Sequence, residues 1–118
     1  MVDFTGSGIA DIEGASPGDL DTLSFGVIGF GAGGLVEIYS AAESRLAGLS
    51  PERVIGKHFF TAVAPCMNNF MVAQRFEDEA ELDATIDYVL TLRMRPTPVK
   101  LRMLQSAGAS RRYILIQR

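Results

Sequence analysis

One cysteine, one histidine and no tryptophan occur in these 118 residues. A lone cysteine excludes an intramolecular disulfide and a cysteine-based zinc site, and it fits a reducing compartment. The single histidine, His58, would have to be the base of any cysteine-nucleophile triad, and the sequence offers it no evident orienting group. No apolar run approaches the about 20 residues that a membrane-spanning helix needs. The first residues, Met1-Val-Asp-Phe-Thr-Gly6, carry neither a basic region nor an apolar signal core. The expected location is therefore the cytoplasm. Positive charge is in the minority, with 11 Lys and Arg against 14 Asp and Glu, and it forms no block. A phosphate-neutralising surface for nucleic acid is not expected from that balance.

What is present suits one globular domain: 47% hydrophobic and 21% charged residues, in a chain long enough to bury a core. Residues 1–24 are rich in Gly and Asp and hold too few apolar residues for a core of their own. They are expected to form a cap of one or two helical turns, with sparse contacts and low local stability, on a body running over 25–118. Phe25-Gly-Val-Ile-Gly-Phe30 reads as a strand, Gly31-Ala-Gly-Gly34 as a turn and Leu35-Val-Glu-Ile-Tyr39 as the returning strand of a hairpin. Gly29-Phe-Gly31-Ala-Gly-Gly34 matches a dinucleotide-binding fingerprint in letters only. That fingerprint needs a helix to begin at the glycines, and a β-rich run follows them here.

Ser40-Ala-Ala-Glu43 is a formal capping box, so a short helix should run from about Ala41 to Ala47 and stop at Gly48. Ser50-Pro51 opens a further short helix. Phe70 to Leu82 is the longest helical candidate, with Val72, Phe76 and Ala80 at i, i+4 and i+8. The last third alternates with period 2. Ile86, Tyr88, Leu90, Leu92 and Met94 form one series, Val99, Leu101 and Met103 a second, and Ile114 and Ile116 a third. Such alternation predicts antiparallel strands with one face on the core. The expectation is an α+β fold: a five-stranded antiparallel sheet with short helices and one longer helix on one face.

Taken alone, the polar residues have ordinary readings. Cys66 is by habit a buried apolar residue, Glu43 a capping residue, Tyr39 a strand-end aromatic and His58 a packing or surface residue. Cys66 nevertheless follows Pro65, which stiffens the loop, and two aromatics, Phe59 and Phe60, precede it. A sulfur on a stiff loop beside apolar bulk is a plausible attachment point. It is a poor thiolate site, because no basic cluster adjoins it.

Three stretches then carry a resemblance: Leu23-Ser-Phe-Gly-Val-Ile28, Tyr39-Ser-Ala-Ala-Glu43, and Val54-Ile-Gly-Lys-His-Phe-Phe60 with Val63-Ala-Pro-Cys66. From about Asp11 onward the chain resembles the photoactive yellow protein family of blue-light receptors, which are built on the PAS fold. PAS domains in general share the fold but not the combination of Tyr39, Glu43 and Cys66. The resemblance implies p-coumaric acid (4-hydroxycinnamic acid) held as a thioester on Cys66. It implies that Tyr39 and a protonated Glu43 hydrogen-bond a buried phenolate, and that Ala47, Leu49, Phe59, Ala64, Pro65, Leu90 and Met94 line the pocket. It further implies a photocycle. Light isomerises the double bond from trans to cis, Glu43 gives up its proton, a carboxylate is left without counter-charge, and partial unfolding of the N-terminal segment is the signal. Ala47 stands where the family's best-known form has a Thr that bonds the tyrosine hydroxyl, and Leu49 where it has an Arg. Both departures push towards a higher chromophore pKa.

Two other readings stay open at this point. One is a PAS interaction or small-ligand module without chromophore. The other, weaker for want of a triad, is a cysteine-nucleophile enzyme. The resemblance also leaves open a free-standing receptor or the sensory part of a longer protein, with a histidine kinase as downstream partner in cis or in trans.

Overall fold

The period-2 segments become strands of one antiparallel sheet. The computed structural model describes residues 2–91 and 95–118; Leu92 and Met94, expected to continue an inward-facing series, lie outside the described residues. The hairpin pairs β1 (Gly26–Phe30) with β2 (Val36–Tyr39), with a register irregularity between Gly29 and Phe30. The glycine segment 31–34 is its turn, and no helix starts there. Later in the chain come β3 (Leu82–Leu90), β4 (Thr97–Gln105) and β5 (Arg112–Gln117). The strand order is β2-β1-β5-β4-β3, so β5 is the central strand.

Short helical pieces connect these strands. They are α1 (Ile9–Gly14), α2 (Pro17–Asp21), α3 (Ala41–Ala47), α4 (Pro51–Val54) and α5 (Ala73–Asp78), with a π-helical turn at Phe59–Val63 and a 3-10 turn at Pro65–Met67. No helix among the described residues is long and apolar enough to cross a membrane. Helix α3 begins and ends as its sequence predicts. The Ser40 hydroxyl accepts from the Glu43 N–H, and Gly48 closes the helix in the left-handed region at φ 74°. The other half of the expected capping box is absent, because the Glu43 carboxylate is engaged elsewhere.

The helix expected over 70–82 is shorter. It stops at Asp78, and Leu82 already stands in β3, paired with Gln105 of β4. The side chain of Gln105 explains the stop: its Nε2 donates to the carbonyl of Phe76 at 2.8 Å and to that of Glu79 at 2.6 Å. Carbonyls at a helix end need such partners, and β4 supplies them from within the fold.

The sheet is covered on both faces, where the alternation predicted one. Ile28, Phe30, Leu101, Met103, Ile114 and Ile116 pack with Val54, Phe59, Phe60 and Phe76 from the connecting segments. Their strand neighbours Val27, Leu104, Tyr113 and Leu115 pack on the opposite face with Val2, Phe4, Ile12, Leu20, Leu23 and Phe25. The N-terminal segment is thus no sparsely attached cap. Arg102, 5% exposed, donates to the Phe4 carbonyl at 2.8 Å while its guanidinium pairs with Asp83. Glu13 accepts from the Tyr113 hydroxyl at 2.6 Å and from the Ser110 N–H at 2.9 Å.

The Glu13 contact makes the attachment of α1 acid-sensitive. Burial alone would raise the Glu13 pKa, but the hydrogen bonds from Tyr113 and Ser110 and the charge of Arg111 together bring it below the ordinary value of 4.5. A carboxyl with a lowered folded-state pKa stabilises the fold above its unfolded-state pKa, and that contribution is lost as pH falls through the folded value. Glu13→Gln should therefore unfold at lower urea than the parent at pH 7, and the gap should close as pH drops below 4.5. A gap that stays constant down to pH 3 would show that the ionised carboxylate contributes nothing there.

Candidate functional site

Tyr39 is the last residue of β2, and Glu43 lies in the first turn of α3, which starts two residues later. The abrupt strand-to-helix step at Ser40 turns both side chains to the same side. It is itself fixed from β1, since the Ser40 hydroxyl also accepts from the Val27 N–H at 2.9 Å. Tyr39 is 6% exposed and Glu43 1%. Burial, reinforced by the neighbouring Glu43 carboxylate, drives the Tyr39 phenol well above its ordinary pKa, so it is a hydrogen-bond donor at neutral pH. Its hydroxyl has no hydrogen-bond partner among the described residues.

Glu43 does have a partner. Arg118, just beyond β5, grips it bidentately, with Nη1 to Oε1 at 2.8 Å and Nη2 to Oε2 at 3.2 Å. Burial raises the Glu43 pKa, and the Arg118 guanidinium opposes that rise. The expected picture of a buried carboxylate without counter-charge is thereby corrected: a cation stands against it. Gly26 of β1 makes room for the carboxyl. A Cβ built at Gly26 would meet Glu43 Oε1 at 2.1 Å.

Cys66 sits in the Pro65–Met67 turn, half-buried, with a free thiol. Pro65 is exposed, while Ala64 in front of it is buried. The backbone at Cys66 is tied to the sheet. Its carbonyl accepts from the Tyr88 hydroxyl of β3 and from Asn69 Nδ2 at 3.2 Å, and Asn69 Nδ2 also reaches the Tyr88 oxygen at 2.7 Å. Asn69 in turn accepts from the backbone N–H of Met71 and Val72. The sulfur is therefore held on a clamped turn rather than a loose loop.

The fold brings most of the predicted pocket residues together. Tyr39, Phe59, Ala64 and Leu90 belong to one buried cluster, and Cys66 and Leu49 pack against it. Ala47 is buried at 9% exposure and, with Leu90 and Arg118, lines a cleft of about 360 Å³. Met94 lies outside the described residues. Among the described residues no group of His, Cys, Asp and Glu side chains is arranged to hold a metal ion.

Four residues escaped the sequence reading: Arg118, Gly26, Tyr88 and Asn69. Arg118 had a signal, because extending the Ile114, Ile116 series by two places it on the inward face of β5. Tyr88 was read only as an inward apolar residue, and its hydroxyl went unassigned. Gly26 had no local signal at all.

No protein-family model matches the chain. Curated relatives do. The chain is 37% identical over 115 residues to a photoactive yellow protein of Rhodothalassium salexigens, covering 92% of each. It is 36% identical over 118 residues to that of Halochromatium salexigens, covering 94% of each. Its fold superposes with a TM-score of 0.83, at 38% identity, on the photoactive yellow protein domain of the sensor histidine kinase Ppr from Rhodospirillum centenum, covering 92% of this chain and 98% of that one. A PAS domain of an HTR-like protein from Haloarcula marismortui, at 13% identity and TM-score 0.63, shares the fold alone. With this extent of identity and this sheet order, the chain belongs to the photoactive yellow protein family.

Proposed function

We propose that this protein is a blue-light photoreceptor that carries p-coumaric acid as a thioester on Cys66, with Tyr39 and Glu43 holding the phenol oxygen. The observation that carries the reading is the free Cys66 thiol, clamped beside the same buried cluster that contains Tyr39, whose hydroxyl has no acceptor among the described residues. Attachment is an acyl transfer: Sγ of Cys66 displaces the leaving group of an activated p-coumaric ester, and the thiol proton departs with it. When bound, that group supplies a trans-to-cis photoisomerisation.

The side chains supply the rest. Tyr39 donates one hydrogen bond from its hydroxyl. Glu43 donates a second while its carboxyl is protonated, a form that burial favours. Release of that proton puts a negative charge into the interior, against the guanidinium of Arg118. Movement of the N-terminal segment away from the sheet is the proposed signal, and a histidine kinase, in cis or in trans, is the proposed receiver. The domain division at residue 24 belongs to the same proposal. Ppr, whose photoactive yellow protein domain superposes on this chain, is a sensor histidine kinase.

The test is an absorbance spectrum after incubation with an activated ester of p-coumaric acid, before and after a blue flash. A visible band that bleaches and recovers, and that Cys66→Ala lacks, is the expected result. Absence of any band would leave a chromophore-free PAS module.

A further inference from the structure

We propose that Arg118 is the counter-ion of Glu43, a positioning residue that sets the charge state of this carboxyl and links it to the central strand. Its place in a photocycle rests on the light-receptor reading; the pair itself does not. The geometry is specific. Both guanidinium nitrogens that face Glu43 are used, on separate carboxylate oxygens, at 2.8 and 3.2 Å. The Glu43 side chain is 2% exposed and that of Arg118 17%, so water screens the pair poorly. Gly26 leaves no slack on the third side. The charged or titratable groups facing the carboxyl among the described residues are Arg118 from the end of β5 and Tyr39 from β2, and β1 presents only Gly26.

A bidentate guanidinium changes what loss of the proton means. A carboxylate buried alone must move or recapture a proton, whereas one with Arg118 in place is paired where it stands. Proton release from Glu43 then strengthens a contact between α3 and β5. β5 is hydrogen-bonded to β1 on one side and β4 on the other. A charge change beside Tyr39 is thus felt at the middle of the sheet, whose far face carries the N-terminal segment.

The deciding measurement is the protonation midpoint of Glu43 in the chromophore-free full chain. It is read as the carboxyl C=O stretch in the infrared and assigned by its loss in Glu43→Gln. An opposite charge in contact lowers a carboxyl pKa by about 1–3, so Arg118→Gln should raise the proton affinity of Glu43 about 10- to 1,000-fold. Arg118→Lys, which keeps the charge but not the bidentate fork, should restore most of it. A purely structural role for Arg118 would leave the midpoint at the parent value in both Arg118→Gln and Arg118→Lys. If Arg118→Gln proves too unstable to titrate, the double variant Glu43→Gln/Arg118→Gln decides. It should be no less stable than Glu43→Gln if Arg118 acts through Glu43, and markedly less stable if it does not.

In chromophore-loaded protein, Arg118→Gln should also shorten the recovery of the bleached band, because the deprotonated Glu43 has lost its partner. An unchanged Glu43 midpoint in Arg118→Gln would overturn the proposal. Failure of the parent chain to load would overturn the light-receptor reading instead and leave the titration to decide the pair.

Discussion

Phe30→Ala should lower the unfolding free energy by about 3–5 kcal/mol, the cost of removing a fully buried aromatic and leaving a cavity. Phe30 is 0% exposed. It stacks on Phe59 at 5.6 Å between centroids and meets Phe60 and Phe76 edge-on at 5.4 and 5.3 Å. One ring on β1 thereby touches the π-helical turn that precedes the Cys66 segment and the helix that follows it. Aromatic pairs of this kind add about 0.5–1.5 kcal/mol each beyond the area they bury. A domain of this size holds roughly 5–15 kcal/mol in all, so the variant should stay folded at room temperature with a much lower urea midpoint. The slope of the transition should be unchanged. A loss below about 1 kcal/mol would mean that Phe59 and Phe76 collapse into the space, a result at odds with close packing here. The same variant should weaken retention of an acyl group on Cys66, because the turn bearing the sulfur leans on this cluster.

How much of this was legible in the sequence follows from how local each signal is. Helix α3 was read residue by residue, since Ser40 and Gly48 encode its ends within nine residues of chain. The hairpin around 31–34 was equally local, and so was the rejection of its glycine fingerprint. The helix before β3 was read too long because what stops it is Gln105, distant in sequence and visible only once β4 is in place. The second core was missed for the same reason. Val2, Phe4, Ile12 and Leu20 are too widely spaced to suggest a core among themselves, and they become one only against Tyr113 and Leu115. Those two residues carry apolar surface on the face assumed to be wet. In the site, Tyr39, Glu43 and Cys66 were proposed through resemblance, whereas the contacts of Arg118 and Gly26 with Glu43 depend on a pairing between β1, α3 and β5 that no window of sequence contains.

That pairing gives the second large effect. Gly26→Ala should cost about 3–5 kcal/mol, the range for breaking a buried ion pair, although the substitution adds one methyl group to a strand. Alanine is ordinarily preferred to glycine within regular structure, so the sign is opposite to what β1 alone would suggest. The new Cβ would lie 2.1 Å from Glu43 Oε1 and 3.1 Å from its Cβ and Cδ. Rotating the carboxyl relieves the first contact but gives up the bond that Oε1 accepts from Arg118 Nη1. Moving Glu43 Cβ shifts the first turn of α3, which Ser40 ties back to β1. Strand β1 cannot yield, because Gly26 is paired with Ile116 of the central strand. A double-mutant cycle separates these causes. In a Glu43→Ala background the contacts to Oε1 and Cδ are gone and only the 3.1 Å contact to the Cβ of residue 43 remains, so Gly26→Ala should cost much less there. An equal loss in both backgrounds would place the strain in the strand itself and not in the carboxyl that rests against it.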